Sequence, residues 1–467
     1  MALFGMRNEI LAKMIPNGTI RRFASALLAS AVAIGSTPAK AQEPQLNVIR
    51  DAEIEQLMRD YTAPIFKAAG INGSNMKIVL LGDRSFNAFV VDGKRIFINI
   101  GALMESEHPN EVIGVLAHES GHIAGGHLAR RGAELEKAKY IAIIGTILGA
   151  GAAVGAGTAR QVGGNPMGAI MIGPSLAQRT LLSYQRGEET AADRAAVTFL
   201  DKTHQSASGL LATFKRLDNQ QMFSRSQVDP YLQNHPMFPE RIAAVEHVAE
   251  ESPYFAVKDP PALQTRHDLM RAKLYGFVGR ADEISRRYPP SDTSLGARYA
   301  RAISAYRFGR IDEAQAQIDN LIAQQPANAY FWELKGQSLL ENGRAAQAIA
   351  PLRKAVALSG GSPLIRILLG HALLSADSQR YADEALKELT QATQRDTDSV
   401  EGFRFLSQAY ANKGNEPMAA LVTAQVYANA GDYVGAAQIA RRAKAGLPPN
   451  SPGWLKADDI INLKPKQ

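Results

Sequence analysis

The sequence contains no cysteine and carries little net charge. The absence of cysteine in 467 residues excludes disulfides, thiolate metal ligands and a cysteine-linked lipid anchor. The formal net charge is +7, and the first 41 residues hold five basic residues against one acidic residue, which leaves about +3 for the rest. No basic stripe is interleaved with aromatic residues, so the sequence argues against nucleic acid as a partner. Its length and its 46% hydrophobic content predict two or more domains.

The first 41 residues have the pattern of an export signal. Arg21-Arg22 precedes an apolar run at residues 23–34, and Ala39-Lys40-Ala41 offers a small-x-small cleavage site before Gln42. The apolar run is too short to span a bilayer. We therefore predict a cleavable signal of the general secretory type and a periplasmic location. Twin-arginine export, and an uncleaved amino terminus on a cytoplasmic protein, are the alternatives.

The segment His-Glu-Ser-Gly-His at residues 118–122 carries the strongest chemical signal. Because His118 and His122 stand four residues apart, on a helix they project from one face and can share a metal ion. Glu119 then lies beside that ion, where it can take a proton from water whose pKa zinc lowers to roughly 7. This is the chemistry of peptide-bond hydrolysis. The alternative is an amphipathic helix whose histidines bind no metal.

A zinc site needs a third protein ligand, and Glu189 is the candidate. Glu189 precedes Asp193 by four residues on a strongly helical stretch. We therefore expect Glu189 to bind the metal from a second helix, while Asp193 accepts the spare ring N–H of a ligand histidine and fixes its tautomer. Glu188 is the rival ligand, but it lies about 100° around the helix and lacks a carboxylate one turn further on. A solvated acidic face is the alternative, and it suits Glu188 better than Glu189.

Residues 140–159, between the two ligand segments, contain no charged side chain. Their length meets the criterion for a membrane span, but one crossing would separate the two histidines from Glu189 by a bilayer. We therefore predict an Ala/Gly-rich hairpin over residues 138–180 that folds against the protease domain and serves as a mobile lid. Peripheral membrane contact, and a true span as in a membrane-embedded sensor, are the alternatives.

Upstream of the histidines the sequence predicts one helix and a small sheet. Residues 51–69 repeat apolar side chains at intervals of three and four, which is typical of an amphipathic helix. Residues 76–81 and 96–100 are strand-like, and Asp92-Gly93 predicts a hairpin turn before the second of them.

Asn87 and Ala88 are the candidate substrate-binding residues. They precede the predicted hairpin, and a strand edge beside a metal could hold an extended substrate by backbone pairing. A simple turn residue is an equally open interpretation of Asn87.

From about residue 265 the sequence is helical and periodic. Gly309 and Gly343 are 34 residues apart, and so are Ala314 and Ala348, which is the tetratricopeptide spacing. Small residues are needed where paired helices cross closely, and each pair buries its apolar face only by stacking on its neighbours, so we predict about four such repeats. They would present a concave surface to an extended partner or client. An inert helical cap over the protease is the alternative.

Together these motifs resemble the HtpX and CAAX-prenyl-endopeptidase type of gluzincin metallopeptidase, in which the glutamate is the third zinc ligand. The resemblance rests on the histidine pair followed by His127, on Glu-x-x-x-Asp-Arg from Glu189, on Asn87-Ala88-Phe89, and on His235-Pro-x-x-x-x-Arg241-Ile242. Together with the helical repeats, the likeness to an exported protease of this type covers roughly residues 45 to 450. The sequence departs from the family at Gln185, Gly187 and Ala191, which leaves both acidic positions intact.

His235 precedes Pro236, which disfavours a helix, so a loop can carry it back to the cleft. There it would either donate a hydrogen bond to the developing oxyanion or act as a fourth zinc ligand that displaces water, and the resemblance favours the second role as a resting state. Arg241 is expected to anchor this loop or to stabilise negative charge. A structural loop histidine is the alternative. His127 is expected on the same helix as His118, packing or donating hydrogen bonds without binding metal.

The predicted fold is mostly α. An α+β zincin-type metalloprotease domain at residues 42–262, with helices and a small sheet, is followed by an all-α tetratricopeptide solenoid at residues 265–467. The predicted function is that of an exported zinc endopeptidase with one Zn²⁺ per chain, although the same ligands would also bind cobalt or manganese. The resemblance implies misassembled outer-membrane proteins as substrates, contact with the outer-membrane assembly machinery, and chaperone activity. A chaperone or scaffold with a normally latent protease is the second hypothesis.

Overall fold

The computed structural model describes residues 47–130, 172–223, 230–236 and 239–463. The predicted export signal lies outside these ranges, and so do residues 140–159 and most of the predicted lid. Within them the chain is mostly helical with one four-stranded sheet, which confirms the predicted fold class. No helix in the described ranges is both long enough and apolar enough to cross a bilayer.

The small sheet is mixed. Its strands, in the order β1-β2-β4-β3, are β1 (Val48–Ile49), β2 (Lys77–Leu81), β3 (Ala88–Val90) and β4 (Arg95–Asn99). β2 and β4 are parallel, whereas β1 pairs with β2 and β3 pairs with β4 in antiparallel fashion. Gly93 adopts a φ of +68° between β3 and β4, and the Lys94 N–H donates to Asp92 Oδ1 at 3.1 Å. The predicted hairpin is therefore confirmed, and β3 forms one edge of the sheet.

The helix α1 (Ala52–Ala68) begins at Asp51, whose carboxylate accepts a hydrogen bond from the Ile54 N–H at 3.0 Å. Its buried apolar side chains confirm the predicted amphipathic face: Ile54, Leu57, Met58, Tyr61 and Ile65. This face packs against the helix that carries the two histidines. The short helix α2 (Ile100–Glu105) follows β4 directly and fills the same core.

The histidine pair lies on α3 (Pro109–Gly125), which is buried from Val112 to Gly121. The helix ends where Gly126 adopts a left-handed φ of +65°, a conformation that glycine reaches without strain. The prediction that His127 shares this helix is therefore wrong. His127 follows the left-handed glycine, which redirects its side chain back toward the end of α3.

Two further helices approach α3 closely, and glycines make the approach possible. A Cβ on Gly121 would lie 2.8 Å from the Ala192 carbonyl oxygen of α4 (Ile172–Lys202), and one on Gly114 would lie 2.8 Å from Leu210 Cβ of α5 (Ser208–Phe223). The helices α6 (Pro230–Asn234) and α7 (Pro239–Glu250) complete this part of the chain.

The remainder is a series of successive packed helices: α8 (Pro261–Val278), α9 (Ala281–Arg287), α10 (Leu295–Arg307), α11 (Ile311–Gln324), α12 (Ala329–Glu341), α13 (Ala345–Leu358), α14 (Pro363–Asp377), α15 (Ala382–Arg395), α16 (Val400–Asn412), α17 (Glu416–Asn429), α18 (Tyr433–Ala445) and α19 (Pro452–Ile461). Gly309 and Gly343 occupy equivalent turns, with φ of +78° and +75°. Gly336 lies against Leu352 of the next helix, where a Cβ would come within 2.4 Å of the leucine. Small residues thus permit the close crossing that the repeat spacing predicts.

One helix belongs to both halves of the molecule. On α8, Met270 and Leu274 are buried in the core around α3, whereas Leu269 and Phe277 are buried with the helices that follow. The boundary predicted between residues 262 and 265 falls in the first turn of this shared helix. Ala52 of α1 also packs among the later helices.

Candidate metal centre

His118 and His122 project from α3 toward one point. Their Nε2 atoms lie 3.1 Å apart, and the two rings meet at 81°. The His118 side chain is fully buried, and that of His122 is 12% exposed. The convergence follows from the spacing, because residues four apart are neighbours on one helical face.

Glu189 reaches the same point from α4. Its Oε2 lies 3.4 Å from His118 Nε2, and its Oε1 lies 3.5 Å from His122 Nε2. Glu188 points elsewhere, since it accepts a hydrogen bond from the Tyr184 hydroxyl and lies 4.0 Å from Arg130 Nε. The structure therefore brings Glu189, and not its neighbour, to the histidines.

His235 closes the cluster. It follows α6 directly, and its backbone N–H donates to the Tyr231 carbonyl at 2.7 Å. Its Nδ1 lies 3.3 Å from His118 Nε2 and 3.2 Å from Glu189 Oε2. The candidate ligand atoms of all four side chains lie within 4.8 Å of one another.

The separations between these atoms fit one tetrahedral cation. Metal–ligand bonds of about 2.1 Å give a tetrahedron with edges of about 3.4 Å. With Glu189 Oε2 as the ligand atom, four of the six pairs lie between 3.1 and 3.4 Å apart, and Glu189 Oε1 lies 3.5 Å from His122 Nε2. Imidazole and carboxylate donors suit zinc, and they also suit other divalent transition metals. The residues present therefore fit a single divalent ion.

Asp193 and Arg241 contact the candidate ligands on the side that faces away from the cluster. Asp193 Oδ1 lies 2.8 Å from His118 Nδ1, the ring nitrogen that faces away from the cluster. Arg241 donates to both Asp193 oxygens, at 2.8 and 2.9 Å, and its Nη1 lies 3.0 Å from Glu189 Oε2. It also donates to the Pro236 carbonyl at 2.9 Å, so it fastens the segment that carries His235. Such partners fix the tautomer and the orientation of metal ligands.

Glu119 is fully buried beside the cluster. Neither of its carboxylate oxygens has a hydrogen-bond partner among the described residues, and Oε1 lies 3.4 Å from His235 Nε2. Burial raises the pKa of Glu119 above its ordinary value. A buried carboxyl without a hydrogen bond is costly, so its position indicates a role in chemistry rather than in stability.

Burial and neighbouring charges give the candidate ligands different protonation states. Burial disfavours charge on His118, yet hydrogen bonds to Asp193 and Glu189 raise its pKa to about 10. Burial, together with the charge on His118, lowers the pKa of His122 to about 2. Burial also opposes ionisation of Glu189, but His235 and His118 hold its pKa well below the ordinary value. An ionised carboxylate and a neutral imidazole are the forms that bind a metal ion, so Glu189 and His122 are in those forms, whereas His118 has to release a proton when a metal ion binds.

Two residues contact the ligand histidines: His127, which the sequence analysis expects to pack or to donate hydrogen bonds, and Tyr231, which it did not predict. His127 Nδ1 lies 2.8 Å from His122 Nδ1, so it orients the second histidine as Asp193 orients the first. The Tyr231 ring stacks on His235, with centroids 4.7 Å apart. The only sequence signal for Tyr231 is its position four residues before His235, where a short helix places it one turn away.

Asn87 and Ala88 lie where the edge strand begins. Ala88 pairs with Ile98, and the Asn234 side chain, at the end of α6, lies 3.5 Å from Asn87 Oδ1. Both side chains are buried, so any contact with a substrate would have to come from the strand backbone. Substrate binding at this edge stays a prediction.

Known proteins share these features. The profile of Peptidase family M48 matches residues 49–249, and a tetratricopeptide repeat profile matches residues 299–363. The beta-barrel assembly-enhancing protease of Escherichia coli (strain K12) is 24% identical over 457 residues, which cover 91% of this chain and 90% of that protein. The protein of the same name from Yersinia pestis is 26% identical over 347 residues, covering 72% of this chain and 68% of that protein.

A further relative matches over a shorter stretch. Metalloprotease YcaL of Escherichia coli (strain K12) is 32% identical over 185 residues, which cover 38% of this chain and 65% of that protein. Residues 49–249 are therefore a metallopeptidase domain of family M48, and tetratricopeptide repeats follow this domain in the same chain.

Proposed function

We propose that the protein is an exported zinc endopeptidase whose repeats hold protein clients. One observation carries this proposal. The Nε2 atoms of His118 and His122 and the carboxylate of Glu189 converge to 3.1–3.5 Å from two distant parts of the chain, with Glu119 buried beside them. In the proposed site His118, His122 and Glu189 hold one Zn²⁺ per chain.

The residues around the site have separate roles in hydrolysis. When bound, a zinc ion supplies a Lewis acid and lowers the pKa of water to about 7. Glu119 accepts the proton of the attacking water and returns it to the leaving amine as the C–N bond breaks, a task that suits a carboxyl with a raised pKa. Asp193 holds the His118 ring, and Arg241 holds Asp193 and the segment that carries His235.

We propose further that His235 is the fourth ligand in a closed resting state. Its Nδ1 completes the tetrahedron at 3.2–3.3 Å from two other ligand atoms. Because water needs the position that His235 fills, the segment after α6 must move before hydrolysis starts. The other expected role, donation of a hydrogen bond to an oxyanion, requires the same ring to turn away from the cluster.

Three further observations support the proposed clients and the proposed location. Relatives carry the name beta-barrel assembly-enhancing protease, the sequence begins with a predicted export signal, and the repeats offer a stacked helical surface. We propose the periplasm as the location, misassembled outer-membrane proteins as substrates and the outer-membrane assembly machinery as the partner. The closed site favours one second candidate, a chaperone or scaffold with a latent protease.

The test compares two glutamine variants for cleavage of β-casein and for rescue of outer-membrane protein assembly in cells that lack the gene. Glu119→Gln should lower cleavage by at least about a hundredfold, whereas Glu188→Gln, which alters a carboxylate that points away, should not. Intact cleavage by Glu119→Gln would contradict the peptidase. Full rescue of assembly by Glu119→Gln would favour the scaffold.

A further inference from the structure

A cavity of about 390 Å³ lies between the amino-terminal strand and the repeat helices. It is far along the chain from the metal centre and shares no lining residue with it. Val48 of β1 forms one side, and Glu333 of α12, Ile367 and Leu368 of α14 and Phe405 of α16 form the others. The two halves of the molecule thus enclose this space together.

The wall of the cavity is apolar. Ile367, Leu368 and Phe405 are all buried, and their hydrocarbon surfaces face the open space. Val48 is 45% exposed although it is apolar. Such a surface favours the aliphatic part of a side chain, which loses contact with water when it enters.

The base of the cavity holds an excess of carboxylates. Lys273 Nζ on α8 lies 2.8 Å from Asp51 Oδ2, 3.2 Å from Glu53 Oε2 and 3.8 Å from Glu333 Oε2, and all four groups are buried. One ammonium group therefore forms ion pairs with three carboxylates. Tyr299 donates a hydrogen bond to Glu53 at 3.0 Å, but Glu333 Oε2 has no hydrogen-bond partner among the described residues.

Asp51 and Glu333 are the members of this group that line the cavity, and neither Asp51 Oδ2 nor Glu333 Oε2 has a hydrogen-bond partner among the described residues. Glu333 lies farther from the Lys273 ammonium, however, at 3.8 Å rather than 2.8 Å. Burial raises the pKa of Glu333 to about 7, and burial also raises the pKa of Glu53. Both shifts have the same origin, because a single lysine cannot neutralise all three acids in a site that water barely reaches. A second cation beside Glu333 would remove this excess charge.

The mouth of the cavity also carries carboxylates, and each of them has a cationic partner. Asp398 and Glu401 line it, and the one cationic lining residue, Arg50, is already paired with Glu55 at 2.7 Å and with Asp396 at 2.8 Å. From outside the lining, Lys77 pairs with Asp398, and Arg404 Nη2 lies 3.5 Å from Glu401 Oε1. A cationic group that approaches the mouth therefore competes with Lys77 and Arg404 for these carboxylates before it reaches Glu333.

The strand β1 supplies an edge along the cavity. It pairs with β2 on one side, and no other strand in the described ranges pairs with its second side. An exposed sheet edge can bind an extended peptide through backbone hydrogen bonds, while pockets beside it select side chains.

We propose that this cavity binds a lysine or arginine side chain of an extended polypeptide that lies along β1. The charged end pairs with Glu333, and the aliphatic stem packs on Ile367, Leu368 and Phe405. This proposal rests on the proposed role of the repeats in holding clients, and it is independent of the metal centre. It names the chemistry by which a client is held: a cationic side chain within a strand-forming segment.

The test measures fluorescence anisotropy with the full chain carrying Glu119→Gln, so that no probe is cleaved. The probes are acetylated, amidated, fluorescein-labelled peptides of alternating valine and threonine whose central residue is lysine, methionine or glutamate. The lysine peptide should bind about tenfold more tightly than the glutamate peptide. Adding Glu333→Gln should weaken binding of the lysine peptide about tenfold and abolish the preference.

Asp312→Asn is the matched control, because the Asp312 side chain is 91% exposed and is not part of the lining. It makes the same change in net charge and should alter the affinity by less than about twofold. Glu401→Lys places the opposite charge at the mouth without touching the buried group, and it should weaken the lysine peptide several-fold more than Asp312→Lys does. The comparison of Glu401→Lys with Asp312→Lys therefore tests the proposal even if Glu333→Gln fails to fold.

Equal affinity for the three peptides, or equal effects of Glu333→Gln and Asp312→Asn, would overturn the proposal. Lysine-peptide binding that occurs only after removal of the residues before Asn47 would also overturn it, because the chain's own amino-terminal segment would then occupy the cavity. None of these outcomes depends on hydrolysis. Failure here is therefore distinct from intact β-casein cleavage by Glu119→Gln, which would contradict the proposed peptidase.

Discussion

Asp193 Oδ1 lies 2.8 Å from His118 Nδ1, and this contact joins the second ligand helix to the first. Because Asp193 is one turn beyond Glu189, α4 supplies both a candidate ligand and the group that orients another ligand. Arg241 neutralises the aspartate and also reaches Glu189 at 3.0 Å. The geometry of the metal centre therefore depends on the register between α3 and α4.

Asp193→Asn should weaken zinc binding by about 10- to 100-fold, because the amide lacks the charge that orients His118 and attracts Arg241. Competition with a chromogenic chelator measures the affinity. Glu188→Gln is the control on the same helix and should leave the affinity unchanged. An Asp193→Asn affinity equal to that of the unmodified protein would show that the contact does not support metal binding.

Gly121→Ala tests the spacing of the two ligand helices. The new Cβ would lie 2.8 Å from the Ala192 carbonyl, so α4 must shift, and both the melting temperature and the zinc affinity should fall. Gly187→Ala is the matched control, since a Cβ there meets nothing within 4 Å. It should stabilise α4 by about 0.5–1 kcal/mol through helix propensity. If both variants behave alike, the close approach is not required.

The sequence was sufficient to predict those features that depend on a single helix or a single hairpin. The turn of a helix places His118 beside His122, and Glu189 below Asp193, before any tertiary contact is known. The face of α1 and the hairpin at Asp92-Gly93 have the same local origin. The prediction that His127 shares a helix with His118 is wrong because α3 ends at Gly125 and Gly126 adopts a left-handed φ of +65°.

Contacts between distant segments could not be predicted in this way. Lys273 meets Asp51, Glu53 and Glu333 from three separate parts of the chain, and no spacing in the sequence signals their meeting. The stacking of Tyr231 on His235 likewise depends on where α6 docks. Such contacts follow from packing of whole helices, which local periodicity does not specify.

His235→Ala should increase β-casein cleavage by at least about threefold, because the variant no longer spends part of its time in the closed state. Three ligands remain, so the zinc content should persist. His247→Ala is the control, since the His247 side chain is 75% exposed. Loss of cleavage in His235→Ala with full zinc content would instead assign His235 to the oxyanion.

Glu333→Gln should change how stability depends on pH. The folded-state pKa of Glu333, about 7, lies above its ordinary value of 4.5, so the folded chain binds the extra proton between these values. The stability from this group is present below pH 4.5 and is lost as the pH rises through 7. The pKa of Glu53 is also raised, so this group adds to the loss of stability. The pKa of Asp51 is lowered and that of Lys273 is raised, so both groups titrate outside the range from pH 4.5 to 7.

Urea unfolding at pH 5 and at pH 8 measures the effect. The decrease in the free energy of unfolding from pH 5 to pH 8 should be smaller in Glu333→Gln than in the unmodified protein by about 1–3 kcal/mol. Asp312→Asn should reproduce the unmodified behaviour. An identical pH dependence in the Glu333→Gln variant would show that this carboxyl stays ionised throughout.

The most direct measurement is X-ray diffraction of the purified protein at energies above and below the zinc absorption edge, with metal analysis of the same sample. We expect one zinc per chain, as an anomalous peak about 2.0–2.2 Å from His118 Nε2, His122 Nε2 and a Glu189 oxygen. A protein that binds no divalent metal after incubation with zinc, or that binds it away from these three side chains, would contradict the account.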